Sequence, residues 1–129
     1  MKKVMLGLFS VLFLSVIMAA QAAPPTEPVE TIEIQASPHT ILLSWKSQGA
    51  LRITIHADIN YSAVDTYSVD LGGFSALYTF ADNRGNLVAK FAYDDVVTLV
   101  NEGNTELTLS GKMDDGTEFE GTDVVRVVD

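Results

Sequence analysis

The sequence predicts an all-β fold, a single antiparallel immunoglobulin-like β-sandwich of about seven or eight strands. Apolar and polar residues alternate with a period of two in most segments after residue 30, and no long window has the helical period. Turns rich in glycine and aspartate separate these segments. No internal repeat or second domain interrupts the pattern, so one domain is predicted over residues 30–129.

The first 22 residues have the layout of a secretory signal peptide. Two lysines precede an apolar run, and small residues follow it at positions 20–22. An uncleaved membrane anchor is the alternative, but a run of about 15 residues is shorter than the roughly 20 that a spanning helix needs. We therefore expect export to the periplasm or the medium, with a mature chain that begins near Ala23. Residues 23–29 are proline-rich and predict a flexible leader.

The acidic composition of the chain limits the classes of molecule that it is expected to bind. The formal net charge is −9, and loss of the two lysines with the signal peptide would change it by two, to −11. Such a charge opposes binding to nucleic acid and to anionic lipid. We expect a protein or glycan partner, no nucleic acid, and no membrane insertion after signal cleavage. The chain has no cysteine, so core packing alone must stabilise the domain.

Short alternating segments define the predicted strands, with one exception. The strands are predicted at residues 31–35, 41–46, 51–56, 69–71, 76–80, 86–91, 107–110 and 119–127. Hairpin turns are predicted at Asp82–Gly85 and at Asp114–Gly116. Residues 94–100 carry apolar side chains on more than one phase. They favour a short helical turn, with a strand as the alternative.

The inward phase of these strands predicts the core. Its members are Ile41, Leu43, Trp45, Leu51, Ile53, Ile55, Leu87, Phe91, Leu107, Leu109, Phe119, Val125 and Val127. Trp45 is in phase with Ile41 and Leu43, which favours packing between the sheets over a ligand platform. Gly121 interrupts the last strand and predicts a bulge there.

Four stretches, IEIQASPHTILLSWKSQGALRITI, YSAVDTYSVDLGG, GNLVAKF and TELTLSGKMDDGTEFEGTDVVRVV, together carry a resemblance. In this order they resemble a secreted bacterial immunoglobulin-like β-sandwich accessory module, over Ile32 to Val128. The sharpest matches lie at residues 62–65 and 115–117 and at Val125-Arg126. The resemblance implies an extracellular accessory module without an established enzymatic activity. Arg52 departs from the group, which has proline at that position.

Metal and cofactor sites are not predicted. In the resembling group an acidic, metal-like loop occupies the position of Asp82–Asn86, but here the loop is short and contains Arg84. Calcium takes six or more oxygen ligands at about 2.4 Å, which this loop does not offer. The two histidines, His39 and His56, without cysteine do not make a zinc site.

Catalytic residues are not predicted either. Glu118 and Glu120 share one strand face with Cα atoms roughly 7 Å apart, a spacing that overlaps the carboxyl separation of inverting glycosidases. A small hydrolase or inhibitor that uses the acidic face near Glu118, Glu120 and Asp123 is therefore the alternative function. A solvated strand face is favoured, because so small a sandwich has no deep cleft. No serine lies in a Gly-x-Ser-x-Gly motif.

Two tyrosines are the candidate partner-binding residues. Tyr61 and Tyr67 flank the connection from Ser62 to Ser68. Packing inside the loop is favoured for them, and an exposed aromatic patch for a sugar or a protein is the alternative that makes them candidates. The sequence thus favours an exported, non-catalytic β-sandwich that binds an envelope or extracellular protein or glycan.

Overall fold

The computed structural model describes residues 28–45 and 51–129. The predicted signal peptide and most of the predicted leader lie outside the described residues. The described strands are β1 Val29–Thr31, β2 Ile34–Ser37, β3 Thr40–Leu42, β4 Arg52–Asn60, β5 Val64–Leu71, β6 Phe74–Ser75, β7 Tyr78–Ala81, β8 Asn86–Ala92, β9 Gly103–Met113 and β10 Glu118–Val128. One α-helix, α1 Tyr93–Val97, and two 3₁₀ turns, Leu43–Trp45 and Tyr61–Ala63, complete the described elements.

Two sheets pack against one hydrophobic core, which confirms the predicted β-sandwich. Sheet I has the order β1–β10–β9–β5–β6, and β3 also pairs with β10. Sheet II has the order β2–β4–β8–β7. The pairs are antiparallel except that β1 and β3 run parallel to β10. The described part has ten strands rather than seven or eight, because the first predicted strand divides into β1 and β2 and because β6 was not predicted.

The alternating side chains fill the core much as the sequence predicts. In β4, Ile53 and Ile55 are fully buried, and in β10 Phe119, Val125 and Val127 point inward. The other predicted core residues that are buried are Ile41, Leu87, Phe91, Leu107 and Leu109. Leu43 and Leu51 are partly buried and pack against this cluster. Each fully buried aliphatic or phenyl side chain contributes about 1.5–3 kcal/mol to folding.

The prediction for Trp45 is wrong, because 46% of this residue is exposed. Strand β3 ends at Leu42 and a 3₁₀ turn follows, so the period of two stops before it reaches the tryptophan. The Leu42 N–H donates to the Tyr93 hydroxyl oxygen at 2.7 Å, and that hydroxyl donates to the Leu42 carbonyl at 3.1 Å. The buried Tyr93 hydroxyl therefore bonds the two Leu42 backbone groups that a neighbouring strand could otherwise bond. The Trp45 ring packs on Tyr93 with centroids 6.4 Å apart.

The N-terminal chain crosses from one sheet to the other at Ile32 and Glu33, where a single strand was predicted. The Ile32 N–H donates to the Glu120 carbonyl of sheet I at 2.9 Å, and the Glu33 carbonyl accepts from the Asp58 N–H of sheet II at 2.9 Å. A Cβ on Gly121 would lie 2.7 Å from the Ile32 oxygen. The β9–β10 register is unbroken here. The predicted bulge at Gly121 is therefore wrong, and the glycine admits the crossing chain.

The predicted turns and the helical turn are confirmed. Gly116 has a φ of 92°, and the Thr117 N–H donates to Asp115 Oδ1 at 2.8 Å. Gly85 has a φ of 83° in the hairpin between β7 and β8. Helix α1 lies in the segment whose apolar phases were mixed. In the described part of the chain, no helix has the length and apolar character needed to span a membrane.

Candidate functional site

The structure separates the two tyrosines that the sequence singles out. Tyr61 is partly buried, packs against the core, and donates its N–H to the Gly85 carbonyl at 2.9 Å. Tyr67 lies on β5 and is 96% exposed. The connection between them does not form one aromatic patch, because Tyr61 supports the fold while Tyr67 projects into solvent.

Tyr67 lies beside a groove that runs between β5 and β7. The groove has a volume of about 360 Å³, and its lining includes Val69 from β5 and the chain from Ser75 to Thr79. Exposed apolar side chains gather here: Leu77 is 49%, Tyr78 52% and Phe80 41% exposed. We call Tyr67, Leu77, Tyr78 and Phe80 the aromatic edge. An exposed apolar surface of this kind marks interaction sites more often than scattered single residues do.

The aromatic pair on β7 results from strand alternation. Tyr78 and Phe80 lie opposite Lys90 and Val88 on the outer face of sheet II, while Thr79 between them lies opposite the buried Ala89. Their rings stack with centroids 6.3 Å apart and an interplanar angle of 23°. The alternation of Tyr78-Thr79-Phe80 was visible in the sequence and places both rings on one face. This pair was not predicted, because the candidate binding residues were only Tyr61 and Tyr67.

The acidic face contains two of its three expected carboxylates. Glu118 and Glu120 lie on the outer face of sheet I, opposite Lys112 and Ser110 of β9. Asp123 has the inward phase of β10, the phase of the buried Phe119 and Val125, and its side chain is only 19% exposed. The three groups therefore do not converge on one substrate position.

Asp123 instead caps the exposed edge of β2. Its Oδ2 accepts the Ala36 N–H at 2.8 Å and lies 3.0 Å from His39 Nε2. Its Oδ1 accepts the Val124 N–H at 2.9 Å. Ala36 is nearly fully buried, so its amide hydrogen needs an acceptor inside the protein. The carboxylate satisfies that amide and holds the loop that carries His39.

A shallow depression of about 640 Å³ brings both histidines to one surface. Asp58, Asp82 and Asp123 are among its lining residues, but the lining contains no serine, threonine or cysteine. Within this depression, the described lining therefore offers the pair His39–Asp123 no hydroxyl or thiol nucleophile. Across residues 28–45 and 51–129, no group of three or more histidine, cysteine or carboxylate side chains is placed to hold a metal ion.

Asp82 and Asp115 each accept backbone amides within their turns. Asp82 Oδ1 accepts the Asn86 N–H at 3.0 Å and the Arg84 N–H at 2.8 Å, and these bonds hold the pKa of Asp82 below its ordinary value of 3.8. The bond from the Thr117 N–H lowers the pKa of Asp115 in the same way. Both groups are ionised at neutral pH, so neither acts as a proton donor there. Asp82 Oδ1 therefore faces two backbone amides.

Comparison of the chain with protein-family models, with curated proteins and with solved structures finds no match. The resemblance to the secreted accessory module therefore stays a prediction, and the function must be argued from the described surface.

Proposed function

We propose that this protein is an exported, non-catalytic module that binds an envelope or extracellular protein or glycan through its aromatic edge. The observation that carries the proposal is that Tyr67 and Tyr78 line one groove, with Phe80 stacked on Tyr78 and Tyr67 almost fully exposed. Aromatic side chains are enriched in binding surfaces because they bury a large area at a small cost in side-chain entropy. Binding residues also concentrate in loops that a rigid scaffold positions, and Leu77 lies in such a loop between β6 and β7.

The alternative of a small hydrolase or inhibitor has weaker support. It needs Glu118, Glu120 and Asp123 to act together, and Asp123 faces away from the two glutamates. The expected export rests on the N-terminal sequence. Intact-mass measurement of protein from periplasm and medium tests it. A mass that corresponds to a start near Ala23 supports export, whereas an intact Met1 segment in the membrane fraction contradicts it.

The binding function is tested by retention experiments with matched variants. The purified protein is immobilised and exposed to envelope extract, culture medium and a glycan panel. We expect a specific component whose retention falls at least about tenfold for the double variant Tyr67→Ser/Tyr78→Ser, since interface aromatics contribute 2 kcal/mol or more each when they anchor a partner. The control Glu118→Gln/Glu120→Gln should retain it as the natural protein does. Turnover of a glycan or an ester that either glutamate substitution abolishes would reverse the assignment.

A further inference from the structure

We propose that the open side of β7 accepts an extended segment of a partner protein as an additional strand of sheet II. This inference deepens the proposed binding function and rests on it. It commits the partner to one class, a polypeptide with apolar side chains at alternate positions.

The first argument is the direction of the peptide groups in β7. This strand pairs only with β8 among the described strands. Phe80 lies opposite Val88, and the Asp82 N–H donates to the Asn86 carbonyl at 2.9 Å in the same register. Hydrogen-bonded residues alternate in an antiparallel ladder. Phe80 therefore turns its N–H and C=O toward β8, whereas Thr79 and Ala81 turn theirs to the open side.

The second argument is the contrast with the other edge of sheet II. On β2, the N–H of Ala36 that points away from β4 is capped by Asp123, and Pro38 follows the strand. Natural proteins block exposed edges with charges, prolines or very short strands. Strand β6, at one edge of sheet I, is only two residues long. Strand β7, Tyr78–Ala81, contains neither a charge nor a proline, so nothing within it opposes pairing with another chain.

The third argument concerns the side chains of an added strand. One set would extend the outer face beside the stacked rings of Tyr78 and Phe80. The alternate set would enter the groove and face Tyr67 and Val69 on β5. Strand addition obtains affinity from main-chain hydrogen bonds and specificity from such alternate contacts. The groove lining carries no charged residue and combines apolar Ala76 and Leu77 with the hydroxyl groups of Ser75 and Thr79, so it suits uncharged side chains, while the stacked rings on the outer face suit apolar ones.

Charge distinguishes a partner from a second copy of this chain. Two copies would each carry a formal net charge of −9, or −11 after loss of the two lysines with the signal peptide, and this repulsion opposes self-association. A segment with basic residues flanking its apolar centre complements the acidic protein and the uncharged groove. We therefore assign the open edge to a basic, extended segment of another protein.

The test reads the pairing of the main chain directly. Random peptides of about a dozen residues are selected on the purified protein by display, and the best binder is resynthesised with an N-methyl group at each position in turn. N-methylation removes one amide donor and blocks close approach of the chains. We expect the affinity to fall at least about tenfold at every second position of the bound segment and less than about twofold at the positions between.

The protein side is tested at Ala81, an exposed residue whose N–H points to the open side. Ala81→Pro removes that donor, and the preceding Phe80 is already extended, as a residue before proline should be. Ala81→Val is the matched control because it keeps the N–H. We expect at least about a tenfold loss of affinity for the proline variant and little change for valine. Independently of any variant, bound peptide should slow amide hydrogen exchange at Thr79 and Ala81.

Four results would overturn the proposal. One is a loss of affinity on N-methylation without alternation, and another is equal binding by the Ala81→Pro and Ala81→Val variants. The third is selection of no peptide while a glycan still requires Tyr67 and Tyr78, which would leave the binding function intact and reject the strand. The fourth is a dimer in light scattering that Ala81→Pro dissociates, which would assign the edge to a second copy. Failure of the binding function itself is separate, because no retained component would then depend on the aromatic edge.

Discussion

Substitution of Asp123 by alanine should destabilise the fold through one buried amide. The change removes the acceptor that lies 2.8 Å from the Ala36 nitrogen, in a residue that is only 2% exposed. A buried donor left without a partner costs about 1–3 kcal/mol, and bonds to a charged acceptor contribute about 1.5–3 kcal/mol. We therefore expect Asp123→Ala to lower the free energy of unfolding by about 2 kcal/mol, which corresponds to a fall in Tm of roughly 10 °C for a domain of this size.

Two further variants separate the hydrogen bond that the Ala36 N–H donates from the contact with His39. Asp123→Asn keeps a neutral acceptor and should cost about half as much as alanine, because a neutral bond is the weaker one. His39→Ala should cost less than about 1 kcal/mol, since the His39 side chain is 58% exposed and exposed ion pairs contribute little. Urea unfolding gives all three values, provided that the slope m is unchanged. If His39→Ala costs as much as Asp123→Ala, the cap on Ala36 is not the stabilising element.

Three other predictions concern the tryptophan and the two turns. Trp45→Ala should lower the free energy of unfolding by less than the loss of about 3–5 kcal/mol that is typical of a buried aromatic residue. A soluble quencher should reduce Trp45 fluorescence in part, and full protection from the quencher would contradict its 46% exposure. The pKa of Asp115 is lowered in the folded state, so its stabilising contribution is present above the ordinary value of 3.8 and is lost as the pH falls through the folded-state pKa. Acid titration of Asp115→Asn should therefore show a flatter loss of stability in that range than the natural protein, and identical curves would refute this. Calcium should raise the Tm by no more than a few degrees, because Asp82 Oδ1 already accepts two backbone amides; a larger rise that Asp82→Ala abolishes would establish a calcium site.

Local patterns were sufficient for much of the fold. The alternation around Ile53 and Ile55 follows from the period of a half-buried strand. The turn at Asp115 and Gly116 follows from a carboxylate that bonds two residues ahead and a glycine that takes positive φ. These features depend on neighbours within a few residues, which is why a single sequence contains them.

Errors arose where a distant segment determines the local structure. The length of the strand before Trp45 is limited by Tyr93, whose hydroxyl group bonds both Leu42 backbone groups from 51 positions away. Gly121 is required by the passage of Ile32, which no local pattern records. The error for Asp123 had another cause. Asp123 follows Glu118 by five positions and Glu120 by three, and an odd spacing places residues of one strand on opposite faces. Close attention to strand phase would have predicted that separation.

The position of β10 within sheet I has a consequence for the order of folding. This strand is the most C-terminal one described, yet it lies between β9 on one side and β1 and β3 on the other. The bond from Ala36 to Asp123 likewise joins residues 87 positions apart. Contacts so far apart in sequence form slowly, because the entropy of closing the loop is lost before the contact is made. During synthesis, β1 and β3 therefore remain unpaired until β10 has been made. Sheet I can be completed only after residues 118–128 have left the ribosome.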